Sequence, residues 1–164
     1  MQPFLNALQA WLQSTRLSYV MVHSDYVWPI CESLHFLGLS LLLGTVGLFD
    51  LRLLGMGKGL SPSALHRLVG WGVFGFALNA ITGTMFFVGI PYQYIYNGAF
   101  QAKMACLLLL GLNVIVFYTT SYRAIAALGP EDAAPLRAKI VAAASLCLWT
   151  AVICFGRAEA FFKP

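Results

Sequence analysis

The sequence predicts an all-α polytopic membrane protein: a four-transmembrane-helix bundle preceded by an N-terminal interfacial amphipathic helix. Three observations carry this. Of 164 residues, 60% are hydrophobic and only 10% charged, where soluble domains carry about 25% charged residues. Four apolar stretches each reach the ~20 residues that cross a bilayer. Between them lie clusters of glycine, proline, tyrosine and charged residues, which punctuate spans rather than continue them. The division that follows is an interfacial segment over 1–24 and a bundle over 25–164.

Phe4, Leu5, Leu8, Trp11 and Leu12 recur at helical spacing, with Gln2, Asn6, Gln9 and Gln13 opposite. This stretch is too short and too polar to span, so it is expected to lie in the membrane interface. Ser14 and Thr15 read as an N-cap for a second short apolar segment from Leu17 to Val22. Ser24 and Asp25 read as the cap of the first span, 28–54, with Pro29 in its first turn, where a missing N–H does little harm. Gly55 ends that span, and the linker after it is glycine-rich. Ser61 is placed to cap the second helix with Pro62 at its first position; the membrane part runs over 68–90 and Pro91 stops it. A tyrosine-rich stretch from Tyr92 to Asn97 suits the interface. The third span covers 100–122. A loop with Pro130 and Pro135 then leads to the fourth, 137–162.

Four spans put both termini on one side. Arg52, Lys58, Arg67, Arg123, Arg137 and Lys139, six of the ten basic residues, flank the two loops on the other. The positive-inside rule makes that side cytoplasmic and the termini external, in a plasma membrane. Ser40, Gly44 and Gly47 in the first span, and Gly72, Gly75 and Gly83 in the second, are expected to let helices approach closely. Lys103, Cys106, Leu110, Asn113 and Phe117 mark one seam of the third.

Several function classes fall away. The net charge of +4 comes with no basic run, so no nucleic-acid partner is expected. Cys31, Cys106, Cys147 and Cys154 form no C-x-x-C pair, which argues against structural zinc and covalently attached haem. No basic n-region or A-x-A site marks a signal peptide.

The chemistry is expected where ionisable residues interrupt apolar sequence, because such groups are costly at membrane depth unless they face protein, water or a ligand. At about 1.5 Å per residue, His35 lies roughly 10 Å inside the outer end of its helix, with Glu32 one turn above on the same face. Asn79 and Thr82 fall on an outer stripe of the second span. Lys103 lies near the outer start of the third, and Arg157 and Glu159 near the outer end of the fourth. Glu32, His35, Asn79, Thr82, Lys103 and Arg157 therefore form the candidate cofactor site, with His35 the metal ligand and Glu32 the group that fixes its tautomer, as carboxylates do for ligand histidines. The plainer reading is a set of interfacial caps and ion pairs around a hydrogen-bonded core histidine. His66 reads as interfacial, and the inner half offers only Asp50 and Arg52.

Six motifs carry a resemblance: E-S-L-H-F-L-G (Glu32 to Gly38), F-D-L-R-L-L-G (Phe49 to Gly55), N-A-I-T-G (Asn79 to Gly83), F-Q-A-K-M (Phe100 to Met104), G-L-N-V-I-V-F (Gly111 to Phe117) and S-L-C-L-W with G-R (Ser145 to Arg157). They resemble a family of small four-span bacterial membrane proteins for which the resemblance implies no activity. One departure is Phe117-Tyr118 where Phe-His is expected, which removes a second in-membrane histidine. A more distant similarity is to HemJ-type protoporphyrinogen oxidases and CopD-type copper-resistance membrane domains. It implies that His35 matches a haem-ligand histidine and Lys103 a lysine of a later span.

The function expected from this is binding of b-type haem in electron transfer or porphyrin/quinone redox chemistry, with His35 axial and Lys103 and Arg157 holding propionates. A copper-handling protein is the first alternative, drawing on His35, Cys31, Cys106, Cys154, Met85, Met104, Met21 and His23, since soft sulfur with imidazole suits Cu(I). The second is a non-catalytic subunit of a larger membrane complex. The expected partners are the lipid bilayer, a membrane redox partner or such a complex, and a homo-oligomer is compatible with the sequence.

Overall fold

Thr15 and Ser61 cap helices as their positions require. In the computed structural model, which describes residues 2–162, Thr15 accepts from the Ser18 N–H at 3.2 Å and Ser61 from the Ala64 N–H at 3.2 Å. The first opens α2 (Arg16–His23), after α1 (Gln2–Gln13); the second opens α4 (Pro62–Gly89), which follows α3 (Val27–Leu54). Pro91 stops α4 and begins the short α5 (Pro91–Ile95). Helix α6 (Gly98–Val116) runs through a π-helical turn, Phe117–Ser121, into α7 (Tyr122–Ala126), and α8 (Leu136–Ala158) closes the chain.

The expected all-α bundle is what forms, with four helices long and apolar enough to cross a membrane. At most 28% of the most apolar window of any of them is buried. Large side chains such as Leu108, Val73, Phe36 and Ile115 stand exposed, a surface that suits lipid and not water. Around the bundle the packing order is α4, α3, α8, α6; α4 and α6 share no packed interface. Helices α1, α2 and α5 sit at the same end as the last turn of α8, and the two long loops lie at the other.

Three sequence expectations are corrected. Ser24 and Asp25 do not cap α3: Tyr26 is its N-cap, without a side-chain bond, and Ser24 instead ends α2. The start of α4 at Pro62, by contrast, is the one expected from the Ser61 cap, with the apolar part of the helix following it. The third span continues past Tyr122 to Ala126, since the π turn widens the helix instead of ending it. Gly44 and Gly47 are not packing contacts: a Cβ at either would meet nothing within 4 Å. The close approach uses Gly38, Gly72 and Gly75, where an added Cβ would lie 2.7, 2.5 and 2.5 Å from atoms of the opposite helix.

Both ends are tied by buried polar side chains. At the loop end, Gly55 takes the left-handed conformation (φ 103°) that closes α3, with the Met56 N–H bonded to the Leu51 carbonyl at 3.0 Å. Arg52, 2% exposed, donates through Nε to the Leu60 carbonyl (2.8 Å) and through a terminal nitrogen to those of Pro130 and Asp132, so one guanidinium holds both loops. At the termini end, Asn97, 1% exposed, accepts from the N–H groups of Ala99 and Phe100 and donates to the carbonyls of Glu159 (3.0 Å) and Phe162 (2.6 Å). Asn97→Ala removes a cap and two buried donors together and is expected to cost about 2 kcal/mol in thermal unfolding in detergent. Asn97→Asp keeps the cap, loses the donors and should fall between the two.

Candidate functional site

Helix α3 carries His35 one turn before its crossing with α4 at Gly38. The glycine seam brings α4 close enough for Thr82, itself 2% exposed, to meet the ring: Nδ1 and the Thr82 hydroxyl oxygen are 2.8 Å apart. The threonine spends its own proton on the Leu78 carbonyl one turn back, also at 2.8 Å. The imidazole N–H is then the donor at Nδ1, and Nε2 keeps its lone pair. Phe86 packs edge-on to the ring at 5.7 Å between centroids, and a Cβ at Gly83 would be 3.7 Å from Cε1.

Glu32 does not orient His35. It is exposed and has no hydrogen bond to the ring. The i, i+3 spacing put the two on one face, but a side chain from the neighbouring helix reached the ring first. Asn79 sits within the crossing, its Nδ2 donating to the Gly75 carbonyl at 3.0 Å and its Oδ1 without a partner.

Lys103 forms an ion pair with Glu159 at 2.6 Å, both largely buried, and lies over the Phe100 ring at 5.1 Å from its centroid. The lysine stem rests against Gly156. Arg157 does not join this group: it is exposed, with its guanidinium 5.3 Å from the Phe161 centroid. Tyr94, which the sequence placed in an interfacial belt, belongs to the cluster. Burial first, then the carboxylates of Glu159 and Glu32, push its hydroxyl up to about 12, so it stays protonated at all ordinary pH. The aromatic pairs Phe87–Phe100 (5.8 Å) and Tyr94–Phe100 (5.2 Å) close this end of the gap between α4 and α6.

The soft donors are only partly gathered. Cys31, one turn from His35 on α3, has its Sγ 3.7 Å from Met85 Sδ on α4. Met21 is buried against Gly89, while His23 is exposed and stacked on Tyr19, so those two diverge. Cys147 and Cys154 are exposed. Among the described residues no three His, Cys, Asp or Glu side chains come together as a metal-binding group.

A second polar group lies at the loop end, where the sequence reading saw only boundary residues. His66 Nε2 and the Tyr118 hydroxyl are 3.0 Å apart. They share a cavity of about 350 Å³ with Asp50, Asn113 and Ser145. A carboxylate inside an apolar run was the available signal; the π turn that brings Tyr118 to His66 had none.

No curated protein and no solved structure matches the chain. Residues 8–162 match the family described as "Family of unknown function (DUF6644)". With nearly its whole length covered, the chain, a membrane protein of four span-length helices, belongs to that family.

Proposed function

We propose that this protein binds a b-type haem through His35 and acts in electron transfer or porphyrin/quinone redox chemistry, in a bacterial plasma membrane with both termini outside. The observation that carries the reading is the imidazole itself: its Nδ1–H is engaged by Thr82, which leaves Nε2 as a half-buried ligand atom inside a span. A distant resemblance of L-H-F-L-G (Leu34 to Gly38) and Lys103 to HemJ-type and CopD-type proteins is part of the same proposal.

The residues fit the group only in part: His35 would hold it, but Lys103 already balances Glu159 and Arg157 stands exposed over Phe161, so a propionate would have to draw one of these cations to itself. Bound haem would supply one-electron chemistry. The chain's own part is to fix the ring through Thr82, to hold Lys103 against Glu159, and to keep water out with Phe86, Phe87 and Phe100. Exchange with a membrane redox partner, or within a larger complex, would complete the role.

The contact between Cys31 and Met85 favours copper as a second reading, with Cu(I) taken by two sulfurs and His35. One preparation separates the two. Purified protein is expected to show a haem absorption band that His35→Ala abolishes, while Thr82→Val retains haem about tenfold more weakly. Copper in the absence of that band, lost in Met85→Leu, would move the assignment to the second reading. Colourless protein that takes up neither haem nor copper would remove both.

A further inference from the structure

The cavity at the loop end lies where α4 and α6 fail to pack. Its walls come from α3, α4, α6 and α8, and most of its lining is apolar. Val73 and Phe76 on α4 and Val114 on α6 line it while remaining 63%, 46% and 51% exposed, so they form lips that open sideways toward lipid. A volume of about 350 Å³ lies at the lower end of small-molecule pockets, roughly 300–1,000 Å³. The lips give a molecule dissolved in the bilayer a way in.

Asp50 makes this more than a packing defect. It is 6% exposed, it lines the cleft with Ser145, and its Oδ2 has no hydrogen-bond partner. The nearest cation in sequence, Arg52, has turned its guanidinium to the loop carbonyls and gives no help. A buried carboxyl oxygen beside an apolar cavity needs a donor from whatever fills that space. The remaining polar groups are spread along the lining: Asn113, whose amide donates to the Val141 carbonyl at 3.2 Å, and the His66–Tyr118 pair. Phe49, Phe117 and Trp149 give aromatic faces. The π turn seats Phe117 edge-on to Phe49 at 5.6 Å and turns Tyr118 toward His66; π turns are frequent at ligand sites.

We propose that this lateral cleft binds a lipid-dissolved molecule with a hydroxylated aromatic head, of the hydroquinone class, its ring hydroxyl donating to the Asp50 carboxyl. The ring lies among the aromatic side chains and its apolar tail leaves between α4 and α6. The site is separate from His35 and does not depend on what that residue holds.

The test uses the full chain in lipid nanodiscs and two probes: a benzoquinol with a decyl tail, and the same molecule with both hydroxyls capped as methyl ethers. Saturable binding of the quinol is expected, with the diether at least about tenfold weaker. Asp50→Leu should bring the two probes to equal affinity. Gly111→Phe fills the cleft from a position where an added Cβ meets nothing within 4 Å, so the fold should persist while binding is lost. His35→Ala should leave quinol binding unchanged. Equal binding of the two probes by the unaltered protein, or quinol binding that survives Gly111→Phe, would overturn the proposal. So would displacement of the quinol by phospholipid acyl chains alone, which would make the cleft an ordinary lipid groove.

Discussion

Gly75→Leu is expected to leave no folded bundle. A Cβ at this position would lie 2.5 Å from the Gly38 carbonyl oxygen and 3.0 Å from both the Leu42 nitrogen and the Leu41 Cβ. Two of these are backbone atoms of α3, so no rotamer change relieves the clash; the helices must separate. Between helices in lipid no hydrophobic drive replaces the lost contact, because lipid tails are as apolar as the side chains. Alanine, a single methyl, should already cost about 1–3 kcal/mol, and leucine should exceed what a small bundle can lose. The same separation would withdraw Thr82 from His35, so Gly75→Ala should disturb the candidate site before it unfolds the chain. Gly44→Ala and Gly47→Ala are the controls. Open space surrounds both, and the better helix propensity of alanine should make them neutral or stabilising by up to about 1 kcal/mol. Thermal unfolding in detergent, read beside size-exclusion profiles, ranks the four variants. If Gly75→Leu stays monodisperse with an unaltered midpoint, α3 and α4 do not cross at this point.

Arg52→Ala carries the second large effect. The side chain is 2% exposed and donates to three carbonyls across two loops, Leu60 on one side and Pro130 and Asp132 on the other. Hydrogen bonds from a charged donor are worth about 1.5–3 kcal/mol each, and the truncation leaves the acceptors behind. A loss of about 3 kcal/mol or more is expected, with protease nicking appearing in residues 55–61 and 127–135. Lysine restores a charge but not a planar fork that reaches two directions at once, so Arg52→Lys should recover only part. Wild-type resistance of both loops in Arg52→Ala would show that Gly59, whose N–H bonds the Pro130 carbonyl at 3.3 Å, joins them without help.

How far the sequence could be read follows from what each element depends on. Span lengths, the Ser61–Pro62 start and the Thr15 cap are local matters, settled by hydropathy and by side chains bonding to backbone a few residues away. The seam of α6 was legible too, because Leu110 and Phe117 are buried and Asn113 bonds to α8. Errors arose where two helices had to meet. Gly38 and Gly44 look alike as letters, yet only one faces α4. Glu32 was spaced to serve His35, but Thr82, distant in sequence, holds the ring.

Composition and periodicity by themselves determined that this chain is a membrane bundle of four long helices, and which apolar runs would form them. Only the tertiary structure decided which glycines touch, which group orients the imidazole, and that α4 and α6 stand apart to leave Asp50 beside a cleft. The cause is rotation about each helix axis. Hydropathy is nearly uniform around a helix bathed in lipid, so no amphipathic stripe announces the packed face. That face is chosen by close contact between small residues and by hydrogen bonds made across the gap.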